Sequence, residues 1–119
     1  MTRLLPAVTF AGLLITVTTV AAVAHHGWGS YDAAHPVTVN GPVENSKFEN
    51  PHATIVIKGA VKAWTVTLAP TSRMTARGAS ADMVAVGKTV SAFGYLSTVE
   101  KDEMRAERIT VDGKTYELR

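Results

Sequence analysis

The chain has 119 residues, with 12 Lys and Arg against 10 Asp and Glu, a formal charge of +2, four histidines and no cysteine. That length supports one small domain with one modest core. The near-balance of charge leaves no field to hold nucleic acid or an anionic membrane, and the missing thiols exclude disulfides, thiolate metal sites and a cysteine nucleophile.

Residues 1–24 read as a secretory leader. One cation, Arg3, precedes an apolar stretch through Leu13, Leu14, Ile15, Val17 and Val20. Ala22-Val23-Ala24 is the small-x-small triplet that a signal peptidase accepts. The stretch is nearly long enough to span a bilayer, but Thr9, Thr16, Thr18 and Thr19 weaken it as a permanent anchor. The expectation is cleavage after Ala24, a periplasmic protein with no remaining membrane span, and His25 as its first residue.

Residues 25–36 show little periodicity, with Gly27 and Gly29 among them, and are expected to form a histidine-led arm or loop. A β domain over 37–119 follows. A first strand starts at Val37-Thr38-Val39, meets the turn signal Asn40-Gly41-Pro42 and ends near Phe48. Pro42 cannot donate to a ladder, so an edge or a bulge is expected there. After the break at Asn50-Pro51, a second strand is predicted over His52–Lys58, with Ala53, Ile55 and Ile57 on one face. The connection 59–62 leads into a third strand over Ala63–Leu68, with Trp64, Val66 and Leu68 inward.

Pro70-Thr71-Ser72 followed by Arg73–Arg77 and Gly78 predicts one or two helical turns, capped by Thr71 or Ser72 at the start and by Gly78 at the end. Ser80 is placed to cap another short turn. Strands are expected over Thr89–Leu96, Met104–Val111 and Lys114–Leu118, with a charged loop Glu100–Glu103 before the second of these and the hairpin signal Asp112-Gly113 after it. Three strands, a helix and further strands match the order of the oligonucleotide/oligosaccharide-binding (OB) architecture. The predicted fold is therefore all-β: a small antiparallel OB-like barrel of five or six strands with one short helix.

Several motifs resemble one known family. Ala24-His25-His26, Tyr31-Asp32, Pro36-Val37-Thr38, Gly41, Val43 and Glu49-Asn50-Pro51-His52 open the pattern. Trp64, Leu68-Ala69-Pro70, Arg77-Gly78, Val86-Gly87-Lys88-Thr89-Val90, Gly94-Tyr95 and Asp112-Gly113-Lys114 continue it. Across essentially the whole mature chain the sequence resembles a family of small exported bacterial proteins of unknown function, family 6152. The paired histidines and Asn-Pro-His are its specific parts; Pro42 and the short connection 59–62 depart from it. The resemblance implies export and a small barrel, and supplies no activity.

Among residues able to carry chemistry, His25 comes first. As a mature N-terminus it offers an α-amine and an imidazole that both lose protons near neutral pH, and a second imidazole would complete a nitrogen-rich set suited to Cu(II). His52 is the preferred second ligand and His26 a weaker one, with Asp32 or His35 able to add another. A cut after Val23 would place His25 second and His26 third, and a histidine in third position also binds Cu(II). Against this stands a structural reading: the histidines form a hydrated arm, or dock on the barrel with Trp28 as the apolar anchor, and His52 only bonds a turn carbonyl. Met74, Met83 and Met104 are scattered and expected in the core.

Trp64 reads as core; Phe93 shares a face with Thr89, Ser91 and Tyr95, for which core packing is the preferred reading and a half-exposed, ligand-holding face the alternative. Ser30, His26 and Asp32 lie too close together for a triad, and Glu100, Asp102 and Glu103 read as a solvated loop cluster. No cofactor motif is present. The expected function is a non-enzymatic periplasmic module that binds a small molecule or an envelope protein; the alternative is copper handling through His25 with His52.

Overall fold

The structure is a computed structural model that describes residues 2–4 and 27–119. The cleavage triplet, His25 and His26 lie outside the described residues, so the expected leader and mature terminus do too. Among the described residues no helix is long and apolar enough to cross a membrane.

A short 3-10 turn, Trp28–Ser30, leads into β1 over Tyr31–Lys47; β2 is Thr54–Lys58 and β3 is Ala63–Thr67. Helix α1, Thr71–Ala76, and a second 3-10 turn, Ala81–Val84, separate these from β4 (Thr89–Ser97), β5 (Glu103–Val111) and β6 (Lys114–Glu117). The sheet order is β3-β2-β1-β4-β5-β6, and β3 also pairs with β5 in parallel, so the first five strands close into a ring. The expected OB-like arrangement is thus present, mostly antiparallel, with β6 added at the edge of β5.

The largest difference from expectation is β1. It begins at Tyr31 rather than Val37, and Asn40-Gly41-Pro42 does not interrupt it. Long-range pairing explains both. Residues 31–42 pair with β4 up to Pro42 opposite Thr89, and pairing with β2 begins at Val43 opposite Ile57. Pro42 therefore sits where the strand changes partner, a corner rather than an edge, where its missing donor matters least. A register shift between Val43 and Asn45 follows immediately, and such a bulge bends the strand. Gly41 allows the close approach: a β-carbon there would run into the Lys58 carbonyl. A second shift between Tyr31 and Pro36 sets Asp32–His35 out of register with β4.

The alternation predicted for β2 and β3 holds at the core. Ala53, Ile55, Ile57, Val66 and Leu68 are at most 1% exposed, while Trp64 is only partly buried and packs against the cluster. Each fully buried aliphatic side chain contributes about 1.5–3 kcal/mol. Met74 of α1 and Met104 of β5 are fully buried and Met83 packs against the same core, so these thioethers are core, as expected.

Neither expected side-chain cap forms. The residue preceding α1 is Pro70, with no capping hydrogen bond, and the Thr71 hydroxyl instead donates to Asn50 Oδ1 at 2.9 Å. The turn at Ala81 likewise lacks a side-chain bond from Ser80. Gly78 does follow the helix, with φ +85°. Asp112 and Gly113 both take positive φ, 51° and 77°, as a two-residue type I′ hairpin requires.

Candidate ligand-binding site

The backbone between β1 and β2 is pinned from both sides. Ala53 N–H donates to the Ala69 carbonyl and Leu68 N–H to the Ala53 carbonyl, both at 2.9 Å. These bonds hold His52 at the start of β2, after a cis Asn50-Pro51 peptide. The Thr71 bond occupies Asn50 Oδ1 and fixes the orientation of that amide.

Beside this connection lies a cavity of about 250 Å³. Glu49, Asn50, Pro51 and His52 form its rim, Lys47, Thr54 and Thr67 come from β1, β2 and β3, and Tyr31 and Glu103 complete it. The inner wall is organised by one carboxylate oxygen. Glu103 Oε1 accepts from the Tyr31 hydroxyl at 3.0 Å and from the Thr67 hydroxyl at 2.8 Å. Burial and the neighbouring Glu103 charge push the Tyr31 phenol above its ordinary pKa. Both hydroxyl protons are committed to Glu103, so the wall turns oxygen lone pairs and one negative charge toward the cavity. Lys47 is among the residues that line the same cavity.

The sequence places Glu103 in a solvated loop with Glu100 and Asp102. In the structure it instead opens β5, half-buried, with partners 36 and 72 residues away. Tyr31, assigned by sequence to the arm, is the first residue of β1. No local pattern marks either role; the only hint is that Glu103, Arg105 and Glu107 alternate with the apolar Met104 and Ala106. Asp102 is an ion-pair residue, 2.7 Å from Lys62 Nζ.

Of the proposed copper ligands, His52 lines the cavity and His25 and His26 lie outside the described residues. Asp32 and His35 pair with each other, Oδ2 to Nδ1 at 2.9 Å, on an exposed stretch of β1. Among the described residues no three His, Asp or Glu side chains cluster as a metal set.

Trp64 packs against the core as expected, whereas Phe93, for which core packing is the preferred expectation, is only partly buried. Phe93 and Tyr95 lie on the half-exposed face of β4, ring centres 6.2 Å apart. Trp28 docks there too, edge-on to Tyr95 at 6.0 Å and to Tyr31 at 6.4 Å. It is an anchor for the arm, on the outside of the ring.

No curated protein matches this chain. A chain in the crystal structure of a complex of TiaS with an isoleucine tRNA and ATP is similar in fold, with a TM-score of 0.51 and 15% identity. The match covers 67% of this chain but only 18% of that one, and at such identity the likeness is of fold alone. The sequence itself places the protein more closely: the chain belongs to the family of unknown function DUF6152, which matches residues 13–105.

Proposed function

We propose that this protein is a non-enzymatic periplasmic module that binds a small polar ligand in the cavity between the β1–β2 connection and the outer side of β3 and β5. The observation that carries this reading is the wall built by Tyr31, Thr67 and Glu103, which shares an open cavity with His52. OB-type rings bind ligands on this side, where the face of strands 2 and 3 meets the first connecting loop. A handful of fixed polar groups in a concave site is the usual form of a small-ligand site. Glu103 is held by two hydroxyl donors, which suits it to orient a ligand rather than to exchange protons. Export is supported by the leader composition of residues 1–24.

Native mass spectrometry of the exported protein incubated with the small-molecule fraction of periplasm tests the reading. A defined adduct is expected, and it is lost in both Glu103→Gln and His52→Ala. An adduct that survives both substitutions, or no adduct at all, overturns it.

One observation favours a second reading, copper handling. Tyr31 lines the same cavity as His52, and His25 stands six residues before Tyr31. A chain spans at most about 3.3–3.6 Å per residue; with Trp28 docked, the two residues back from Gly27 give His25 a reach of about 7 Å, so a site shared with His52 requires the arm to run along the cavity or to undock. Cu(II) titration of processed protein should then show His25→Ala and His52→Ala each weakening binding by at least the roughly tenfold that loss of an outer-shell partner costs, while His35→Ala leaves it unchanged. Equal small effects from all three would sink the shared site.

A further inference from the structure

Arg105 is the third residue of β5, opposite Tyr95 on β4 and Thr67 on β3. It is a charged side chain only 7% exposed, and its Nε is sealed from solvent with no hydrogen-bond acceptor. Buried guanidinium groups ordinarily face a carboxylate, because an uncompensated charge in the interior carries a large desolvation penalty. Among the described residues none is available to it. The acids two residues away on either side are committed elsewhere: Glu103 to the Tyr31 and Thr67 hydroxyls, Glu107 to the Tyr95 hydroxyl at 2.8 Å and to Arg119 at 3.5 Å. Among the described residues Arg105 takes part in no ion pair.

Its surroundings add positive charge. Burial pushes the Arg105 guanidinium below its ordinary pKa; Tyr31 opposes this, and the nearby Arg73 and Arg119 charges add to it. Attraction comes from rings. The guanidinium lies 4.3 Å from the Trp28 centroid and 5.9 Å from that of Tyr31, and Arg119 also lies 4.6 Å from Trp28. Stacking uses the flat face of a guanidinium and leaves its in-plane N–H groups, which form the fork that matches an oxyanion, available to bond; of these, Nε is the one sealed from solvent without an acceptor.

We propose that Arg105 is the base of a binding site for a small oxyanion, a carboxylate, phosphate or sulfate group, which accepts from its Nε–H while Trp28 stays stacked on its face. The site is separate from the cavity holding His52, which Arg105 does not line, though Tyr31 borders both. No residue of the turn Trp28–Ser30 is fully buried, so admission requires its backbone to shift at the edge of the guanidinium while the ring contacts of Trp28 to Tyr31, Tyr95 and Arg105 are kept. The turn is tied to the sheet by two hydrogen bonds from Thr98, backbone and hydroxyl, to the Ser30 carbonyl.

The test is thermal unfolding of the full chain at constant ionic strength, with chloride replaced by inorganic phosphate, sulfate or acetate. At about ten times Kd, linkage predicts a rise in Tm on the order of 5–10 °C for a domain this small. Comparing the phosphate and sulfate arms with the acetate arm separates tetrahedral from carboxylate ligands. Arg105→Met should abolish the rise and, by removing a buried unpaired cation, unfold no lower than wild type in chloride. Arg105→Lys keeps the charge without the fork and should weaken binding about tenfold or more. Trp28 emission, read in a Trp64→Phe background, should change on anion addition and lose the response in Arg105→Lys. A wild-type Tm indifferent to all three anions, or an equal rise in Arg105→Met, overturns the proposal. So does Arg105→Lys binding as tightly as wild type.

Discussion

Tyr31 and Glu103 are 72 residues apart in sequence, and the Tyr31 hydroxyl donates to Glu103 Oε1 at 3.0 Å. Thr67 donates to the same oxygen. This one atom ties the start of β1 to β5 and β3, so the wall of the cavity and the attachment of the N-terminal segment are a single structural feature.

The two donors should be energetically coupled. Tyr31→Phe and Thr67→Val each remove one bond to a half-buried carboxylate that keeps the other, at a cost of about 1 kcal/mol apiece. Removing both leaves Glu103 with neither donor. The double variant should therefore lose more than the sum of the singles by about 0.5 kcal/mol or more. A double-mutant cycle by urea unfolding measures this, and strict additivity would show that the two bonds act independently.

The same bond makes an alkaline prediction. Burial and Glu103 raise the Tyr31 pKa above its ordinary value, and Tyr95 is raised by its hydrogen bond to Glu107. A phenol whose folded pKa exceeds its unfolded one, about 10, favours the fold while protonated. That contribution is fully present below the unfolded value and is lost as pH rises through the folded one. Ultraviolet difference titration should show tyrosines ionising later than in the unfolded chain, with Tyr31→Phe and Tyr95→Phe each removing one late-titrating group. A wild-type titration that overlays the unfolded chain would contradict it.

Gly94 marks where β4 and β5 touch most closely. A β-carbon there would run into the Arg105 carbonyl, at the register shift between Phe93 and Gly94, whereas one at Gly29 meets nothing within 4 Å. Gly94→Ala must move a backbone inside the closed ring and should cost about 3 kcal/mol, in the range of overpacking, lowering Tm by about 10 °C or more. Gly29→Ala should stay within about 0.5 kcal/mol of wild type, as surface changes do. Calorimetry of the pair decides, and equal stability would mean that β4 and β5 separate freely at this point.

Features governed by neighbours in sequence are legible without the structure. The alternation Ile55, Ile57, Val66, Leu68 marks one face of β2 and β3, and Asp112-Gly113 marks the last hairpin, because both are set by local periodicity and turn chemistry. His52 is legible as a candidate site residue from Asn50-Pro51-His52 beside a strand start. The full length of β1 is not, because Tyr31–Pro36 has no alternation of its own and is held in the strand by β4. Glu103 and Arg105 are hidden for the same reason. What makes one a cavity wall and the other a buried cation is a set of contacts to Tyr31, Thr67 and Trp28, none of them near in sequence.

Asp102 joins the β4–β5 loop to the β2–β3 hairpin in two separable ways. Its carbonyl accepts from Thr65 N–H at 2.9 Å, and its carboxylate accepts from Lys62 Nζ at 2.7 Å. The hydrogen bond from Lys62 holds the carboxyl below its ordinary pKa. A lowered carboxyl stabilises the fold above its unfolded pKa, about 3.9, and that contribution fades as pH falls through the folded value. Asp102→Asn isolates the ion pair, since asparagine tolerates the φ of 57° and the backbone bond is untouched. The variant should be slightly less stable at neutral pH, and its stability should fall less steeply than wild type below about pH 4. Converging stabilities at low pH would assign that part of the acid limb to Lys62–Asp102. Curves that stay parallel down to the lowest pH would show that the pair contributes nothing that titrates.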